Sequence, residues 1–381
     1  MLRLLCLINA CFVITALAAP PGVVIAHRPK DTQDFIGSPA LIVLEDGTYL
    51  AAHDLFGPGE NNGSRIYASQ DQGLTWTLRA TLPDQDWSSF FLHRGSLYFM
   101  GRYWQQGKGI RQGRLAIRRS TDDGKSWTIP RGPKSGLFTV NDLRCATGPV
   151  TVTVHGGRIW RCVEHSAKGM KFPRQFQPFL LSAAEEADLL DFTSWKATNL
   201  VKPDFAWLSK TFGGWLEGNV ISTPEGLRCL MRVQTIVPKE YAATLTPTPD
   251  GSRLHFDAKT GFSNFPGGAK KSCVRPDPRG GGYWALSNII PAGVDAAHPA
   301  AIRNTLGLLH SPDLKTWEIC ATLLHHEGKE QFGFQYPDFQ FDGEDLIFVS
   351  RTAWENADDY HNADHLTFHR VPNFRALLPQ P

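Results

Sequence analysis

One eight-residue pattern occurs twice, about fifty residues apart: Ser69-Gln-Asp-Gln-Gly-Leu-Thr-Trp76 and Ser120-Thr-Asp-Asp-Gly-Lys-Ser-Trp127. Both read S-x-D-x-G-x-[ST]-W, and the chemistry of such a stretch is local. The Asp caps backbone N–H groups in a tight turn, the Gly supplies a positive φ, and the Trp packs beneath. Two full copies are hard to obtain by chance. A weakened copy without the Gly follows at Ser311-Pro-Asp-Leu-Lys-Thr-Trp317, and a vestige at Asp191-Phe-Thr-Ser-Trp195. The pattern is a folding element, so it speaks to architecture and hardly at all to activity.

Hairpins recur around these turns. Residues 35–44 and 48–53 flank Asp46-Gly47, residues 149–155 and 158–163 flank Gly156-Gly157, and residues 336–341 and 346–350 flank Asp342-Gly343. Short apolar runs separated by such turn pairs read as strands. The one helical candidate, residues 182–190, is short and is expected to decorate a loop. A hairpin repeat of about fifty residues without convincing amphipathic helices predicts an all-β propeller. At that period the chain allows six or seven blades, and seven is the preferred count, with the last blade closed by strands from both termini. No Gly/Ser or Pro linker divides the chain, so residues 20–381 are expected to form one domain.

Residues 1–19 stand apart. Arg3 precedes an apolar run, and Ala16-Leu-Ala18 precedes Ala19-Pro20. This is the pattern of a secretory signal peptide, too short for a membrane span of about 20 residues. A secreted or periplasmic protein is therefore expected. In such a compartment Asn62-Gly-Ser64 would be a glycosylation acceptor if the host is eukaryotic. Beyond residue 19 the cysteines are Cys145, Cys162, Cys229, Cys273 and Cys320. They match no CxxC metal site and are too sparse for a disulfide scaffold, though one or two bridges stay open. The formal net charge is +2 without a basic block, which gives no support to nucleic-acid or membrane-surface binding.

Propeller sites lie where inner strands end at the central funnel, so polar residues there are the candidates. His53 ends the first hairpin and can act as acid or base. Glu164 ends an equivalent strand, Glu217 and Asn219 precede another, and Arg232 ends its partner. Arg303, Asn304, Tyr336, Asp338 and Arg351 hold comparable places later. Several arginines on one cavity suit a carboxylate-bearing ligand, because the guanidinium fork matches it in a bidentate way. The tail from His361 through His365 to Arg370 is dense in His and Asp and could hold a metal, with a structural calcium favoured over zinc. No cofactor is expected for catalysis.

The S-x-D-x-G-x-[ST]-W turns are Asp-boxes, and the chain resembles the sialidase-like superfamily over nearly its whole mature length. Phe35-Ile-Gly-Ser-Pro39-Ala-Leu resembles the sialidase F-R-I-P-A-L segment but lacks its arginine, which in that family begins the carboxylate clamp. A set of segments is similar to the propeller family that removes terminal rhamnose from glucuronate, the rhamnosyl-glucuronate lyases and related rhamnosidases. These are Gly37-Ser-Pro39, Ala52-His53-Asp54-Leu-Phe-Gly57, Trp215-Leu-Glu-Gly-Asn219, Arg303-Asn304, Ser311-Pro-Asp-Leu314, Gly333-Phe-Gln-Tyr336 and Thr367-Phe-His-Arg370. Residues 142–149 depart from it where a histidine-containing loop is expected.

The resemblance implies a secreted enzyme that cleaves a terminal, rhamnose-like sugar from a uronate, by β-elimination or hydrolysis. His53 would be the acid or base, Arg232, Arg303 or Arg351 would neutralise the carboxylate, and Glu164 with Glu217 would be the pair for hydrolysis. Asn219, Asn304, Tyr336 and His365 would bind substrate. A sialidase-like exo-glycosidase and a non-catalytic glycan-binding propeller are the alternatives. The expected partner is a uronate-bearing glycan, and the expected state a monomer.

Overall fold

Six antiparallel sheets follow one another along the chain in the computed structural model, which describes residues 19–59, 63–104, 113–141, 143–294, 296–354 and 357–379. Residues 1–18, Asn62 and Asp142, on which parts of the expectations above fall, lie outside the described residues. Each sheet is one blade, built outward from an inner strand. Blade 1 starts with Phe35–Ile36 and Ala40–Val43, blade 2 with Gln85–His93, and blade 3 with Cys145–Ala146 and Val152–His155. Blade 4 starts with Phe212–Thr223, blade 5 with Cys273–Pro276 and blade 6 with Gly333–Asp342.

The ring is closed as expected, by strands from both ends. Val23–His27 is the outermost strand of blade 6, antiparallel to His365–Val371, with Val23 opposite Phe368 and His27 opposite His365. The count of seven blades is corrected to six. Excursions between strands, such as residues 199–211 ahead of blade 4 and 289–304 inside blade 5, take up the chain that a shorter period would have assigned to a seventh. The helical candidate is corrected as well. Ser182 to Ala184 complete the strand Phe176–Ala184, and turns follow. Among the described residues no helix is long and apolar enough to cross a membrane.

A strand in the middle of a blade buries both faces, because side chains alternate between the two neighbouring blades. On blade 1, Leu41, Tyr49 and Ala51 join a cluster with Ile347, Val349 and Leu366 of blade 6. Ala40, Ile42, Leu50 and Ala52 join the cluster facing Phe90, Leu97 and Phe99 of blade 2. The core is accordingly six apolar seams, one per pair of adjacent blades.

The Asp-box turns lie over these seams. The Asp71 carboxylate accepts from Thr75 N at 2.9 Å and Thr75 Oγ1 at 2.5 Å, while Ser69 Oγ accepts from Gly73 N at 2.9 Å. Those hydrogen bonds hold Asp71 well below the usual carboxylate range, at about 2, with the Thr75 hydroxyl the largest contributor. Trp76 Nε1 donates to Gly73 O at 3.0 Å and its ring meets Phe368 of blade 6 at 5.5 Å. Asp122 and Trp127 repeat the geometry bond for bond, Trp127 packing on Phe99 at 6.0 Å. In the third copy Leu314, at φ 63°, occupies the left-handed position, and Trp317 packs on Phe265 at 4.8 Å. All five cysteines among the described residues are free, and four are buried.

Gly218 marks a close approach at the seam between blades 3 and 4. A Cβ there would sit 2.4 Å from Met231 Sδ and 2.7 Å from both Cys162 Sγ and Cys229 Sγ. Gly218→Ala is expected to destabilise the protein by about 1–3 kcal/mol through overpacking. Chemical denaturation would show a lowered midpoint; an unchanged midpoint would mean the sulfur cluster yields freely.

Candidate functional site

The inner strands do not run straight past the axis. In blades 2, 4 and 6 the register slips between Asp86 and Ser89, between Leu216 and Asn219, and between Gln335 and Asp338. At each slip one non-glycine residue takes a left-handed conformation: Trp87 at φ 50°, Glu217 at 57° and Tyr336 at 52°. Such bulges re-aim a side chain at the cost of backbone strain, and they concentrate near functional sites. In blades 1 and 3 the inner strand is broken instead, and Gly37-Ser38 and Thr147-Gly148 cross the gap. All three left-handed residues and both crossings line one cavity of about 750 Å³ at the centre of the ring.

Tyr336 and Glu217 meet on its wall. The Tyr336 phenol donates to Glu217 Oε1 at 2.9 Å, and Arg232 Nη1 lies 2.7 Å from Glu217 Oε2. Arg232 is anchored behind by Ala269 O at 2.9 Å. Two more guanidinium groups flank the phenol ring, Arg351 at 5.4 Å and Arg303 at 5.9 Å from its centroid. Burial, followed by the Glu217 charge, pushes the phenol pKa up against the pull of Arg232, Arg303 and Arg351. Arg351 lines the cavity, spans the Phe56 ring at 4.6 Å and bonds the His361 carbonyl. Its Nε has no hydrogen-bond partner among the described residues.

Two carboxyls on the cavity are shifted the other way from ordinary acids. Glu164 Oε1 accepts from the backbone N of Glu217 at 2.7 Å, and burial, then the Glu217 charge, raises Glu164 to about 7. Asp54 accepts from Ser38 N at 2.7 Å and Trp87 N at 2.5 Å; burial, then the Asp86 charge, raises it to about 7. Asp86 is held by Arg102, whose Nε donates to Oδ1 at 2.8 Å, and the Arg102 guanidinium stacks 3.6 Å above Trp87. The wall thus offers a phenol poised against a carboxylate, two acids protonated near neutrality, and clustered cations.

Of the expected residues, Glu164, Glu217, Tyr336 and Arg351 line the cavity, with Arg232 and Arg303 directly behind them. His53 is not part of the lining. It is buried in the blade with Nδ1 2.9 Å from Asp54 O and its ring on Tyr67 at 5.7 Å, and burial drives the imidazole down to about 4. Asn219 binds Ser272 O at 3.1 Å and Asn304 binds His326 O at 2.5 Å, so both serve the framework. Asp338 holds Leu41 N at 2.8 Å and Arg275 at 3.1 Å, tying blades 1 and 5 to blade 6. His365 lies at the ring closure, stacked on His27, outside the funnel lining.

Asp54, Asp86, Trp87 and Arg102 were not singled out from sequence. For Asp54 a signal existed: it adjoins His53 at the strand end already singled out. The raised pKa of Glu164 carries a linkage with a definite sign. Between its ordinary value near 4.3 and about 7 the folded state keeps a proton that the unfolded state releases, so folding is penalised as pH rises. The stability of Glu164→Gln relative to the native protein is expected to improve from pH 5 to 7 and level off above. Melting curves of both proteins across that range check it; a pH-independent difference would contradict the raised value.

No protein-family model matches the sequence, and no curated protein matches it by sequence. Solved structures do. A Penicillium chrysogenum α-L-arabinanase complexed with arabinobiose aligns at 13% identity with TM-score 0.59, over 92% of this chain and 98% of that one. The Hadza microbial sialidase Hz136 aligns at 14% identity with TM-score 0.62, over 92% and 68%. An intramolecular trans-sialidase from Ruminococcus gnavus, in complex with oseltamivir carboxylate, aligns at 13% with TM-score 0.56, over 96% and 100%. At such identities the likeness concerns the fold: the chain has the sialidase-like β-propeller architecture.

Proposed function

We propose that this protein is a secreted glycan-cleaving enzyme that removes a terminal sugar at a carboxylate-bearing unit, by hydrolysis through a tyrosine-linked intermediate. The observation that carries the reading is the Tyr336 phenol, 2.9 Å from Glu217 and flanked by three guanidinium groups. A carboxylate nucleophile would be repelled by a substrate carboxylate close to the reacting bond, whereas a neutral phenol is not; sialidases use tyrosine in this role. The fold neighbours named an arabinanase and sialidases lend support to glycan chemistry, by analogy alone.

In the first step the Tyr336 oxygen attacks the anomeric carbon while its proton passes to Glu217. The glycosidic bond breaks, and the leaving oxygen takes the proton of Asp54, which is held as an acid near neutral pH. In the second step water attacks the same carbon and gives a proton to Asp54. The Tyr336–carbon bond breaks and the phenol recovers its proton from Glu217. Arg351, which lines the cavity, would bind the sugar carboxylate, with Arg303 behind it adding positive charge, and Arg232 would fix Glu217. Elimination would need a different base from His53, which lies away from the cavity; Tyr336 is the group positioned for it.

The test is uronate-bearing arabinogalactan with released sugar and absorbance near 235 nm followed together. Free sugar with flat absorbance is the expected result, and a rise at 235 nm would replace hydrolysis by elimination. Tyr336→Phe and Glu217→Gln should each lower kcat by about 10²–10⁴-fold, while His53→Ala should leave the mechanism intact. Neither product from this or a sialoside substrate would overturn the reading in favour of a glycan-binding propeller.

A further inference from the structure

The seam that closes the ring carries a side-chain cluster outside the funnel lining. His27 ends the N-terminal strand and is in register with His365 of the C-terminal strand. Their rings stack with centroids 4.3 Å apart at 12°. Asp364 is the third member: its Oδ1 lies 2.9 Å from His365 Nδ1 and accepts from Trp354 N at 3.0 Å. One ligand atom from each of the three side chains falls within 4.8 Å of the others. Asp364 is only 4% exposed, yet its Oδ2 has no hydrogen-bond partner among the described residues. A buried carboxylate oxygen left without a partner is costly, and a cation would satisfy it.

From these positions we infer that His27, Asp364 and His365 form a divalent transition-metal site that clasps the two ends of the chain together. Two imidazoles and one carboxylate are the donor set of zinc and its neighbours, with a fourth position left for water. Calcium, the metal favoured from the sequence of the tail, asks for six to eight oxygens, and this cluster is two-thirds nitrogen. Zinc–nitrogen bonds of about 2.0–2.1 Å require the stacked pair to splay. His27 is exposed at the strand end, so its ring can turn without disturbing the core. A metal here bridges strands from opposite ends of the sequence, and it acts on the folded state alone, because the unfolded chain separates its ligands.

The test uses tag-free full-length protein stripped with chelator, then titrated with Zn²⁺, Co²⁺ and Ca²⁺. One Zn²⁺ per chain should bind, with the melting temperature raised by about 3 °C at saturation, and Co²⁺ should give visible ligand-field absorption. His27→Ala, a change at an exposed side chain, should fold normally and lose stoichiometric binding, the thermal shift and the Co²⁺ band together. Ca²⁺ should produce no shift. No stoichiometric Zn²⁺ or Co²⁺ binding, or equal binding and shift in His27→Ala, would overturn the assignment.

Discussion

Everything in this molecule depends on each blade burying both of its faces. A twisted four-stranded sheet with two apolar faces has no stable existence alone, and a ring of six gives every face a neighbour. The constraint explains why strands such as Ala40–Val43 and Tyr49–Phe56 are apolar at successive positions. It also explains why the seams are where the special residues concentrate. The Asp-box tryptophans reach over them, and Gly218 lets two blades approach over three sulfur atoms. A ring has one further requirement, that its last seam be closed by chain segments distant in sequence, and Val23–His27 supplies it.

The same packing sets the limits of the funnel. Strands converging on an axis crowd one another, and polar side chains there must be aimed individually. The bulges at Trp87, Glu217 and Tyr336 do this in alternate blades, each placing one residue in a conformation that side chains avoid. Backbone strain of about 1–3 kcal/mol per residue persists only where surrounding structure over-determines it. Here the seams on either side provide that rigidity. The consequence is a phenol and a carboxylate held together before any ligand arrives, the condition for catalysis by preorganised groups.

What could be read from sequence follows from which features are local. The Asp-box turns and the hairpin pairs are written in neighbouring residues, and so were legible; the closure by both termini follows from the ring that such repeats imply. Glu164, Glu217, Tyr336 and Arg351 were legible too, as polar residues that recur at the strand ends of successive units and line the cavity. Blade number was not, because loop excursions such as residues 289–304 have no fixed length. His53 was read as the acid or base of its segment, but it packs within the blade while its neighbour Asp54 lines the cavity. The cluster of Asp54, Asp86, Trp87 and Arg102 joins two blades and has no signature in either segment. Residues 182–190 have helix-forming composition, yet the alternating burial of Phe179 to Ala183 between two blades decides for strand.

Glu164 and Glu217 show how a single cavity can hold two carboxyls in different roles. Glu217 has Arg232 at 2.7 Å and the Tyr336 phenol at 2.9 Å as its partners. Glu164 is equally buried; it accepts from the Glu217 backbone N–H at 2.7 Å and from that of Gly218, and it stands beside the Glu217 charge. Burial first, and then the Glu217 charge, outweigh the Arg161 charge and the backbone N–H groups and favour the protonated form of Glu164. Glu164 therefore holds the Glu217 backbone at the bulge without competing for the phenol proton. Asp54 and Asp86 repeat the division across the funnel, with Arg102 on Asp86 and the proton on Asp54. The funnel wall thus carries two carboxyl pairs, Glu217 with Glu164 and Asp86 with Asp54, and in each pair one member is bound to a guanidinium.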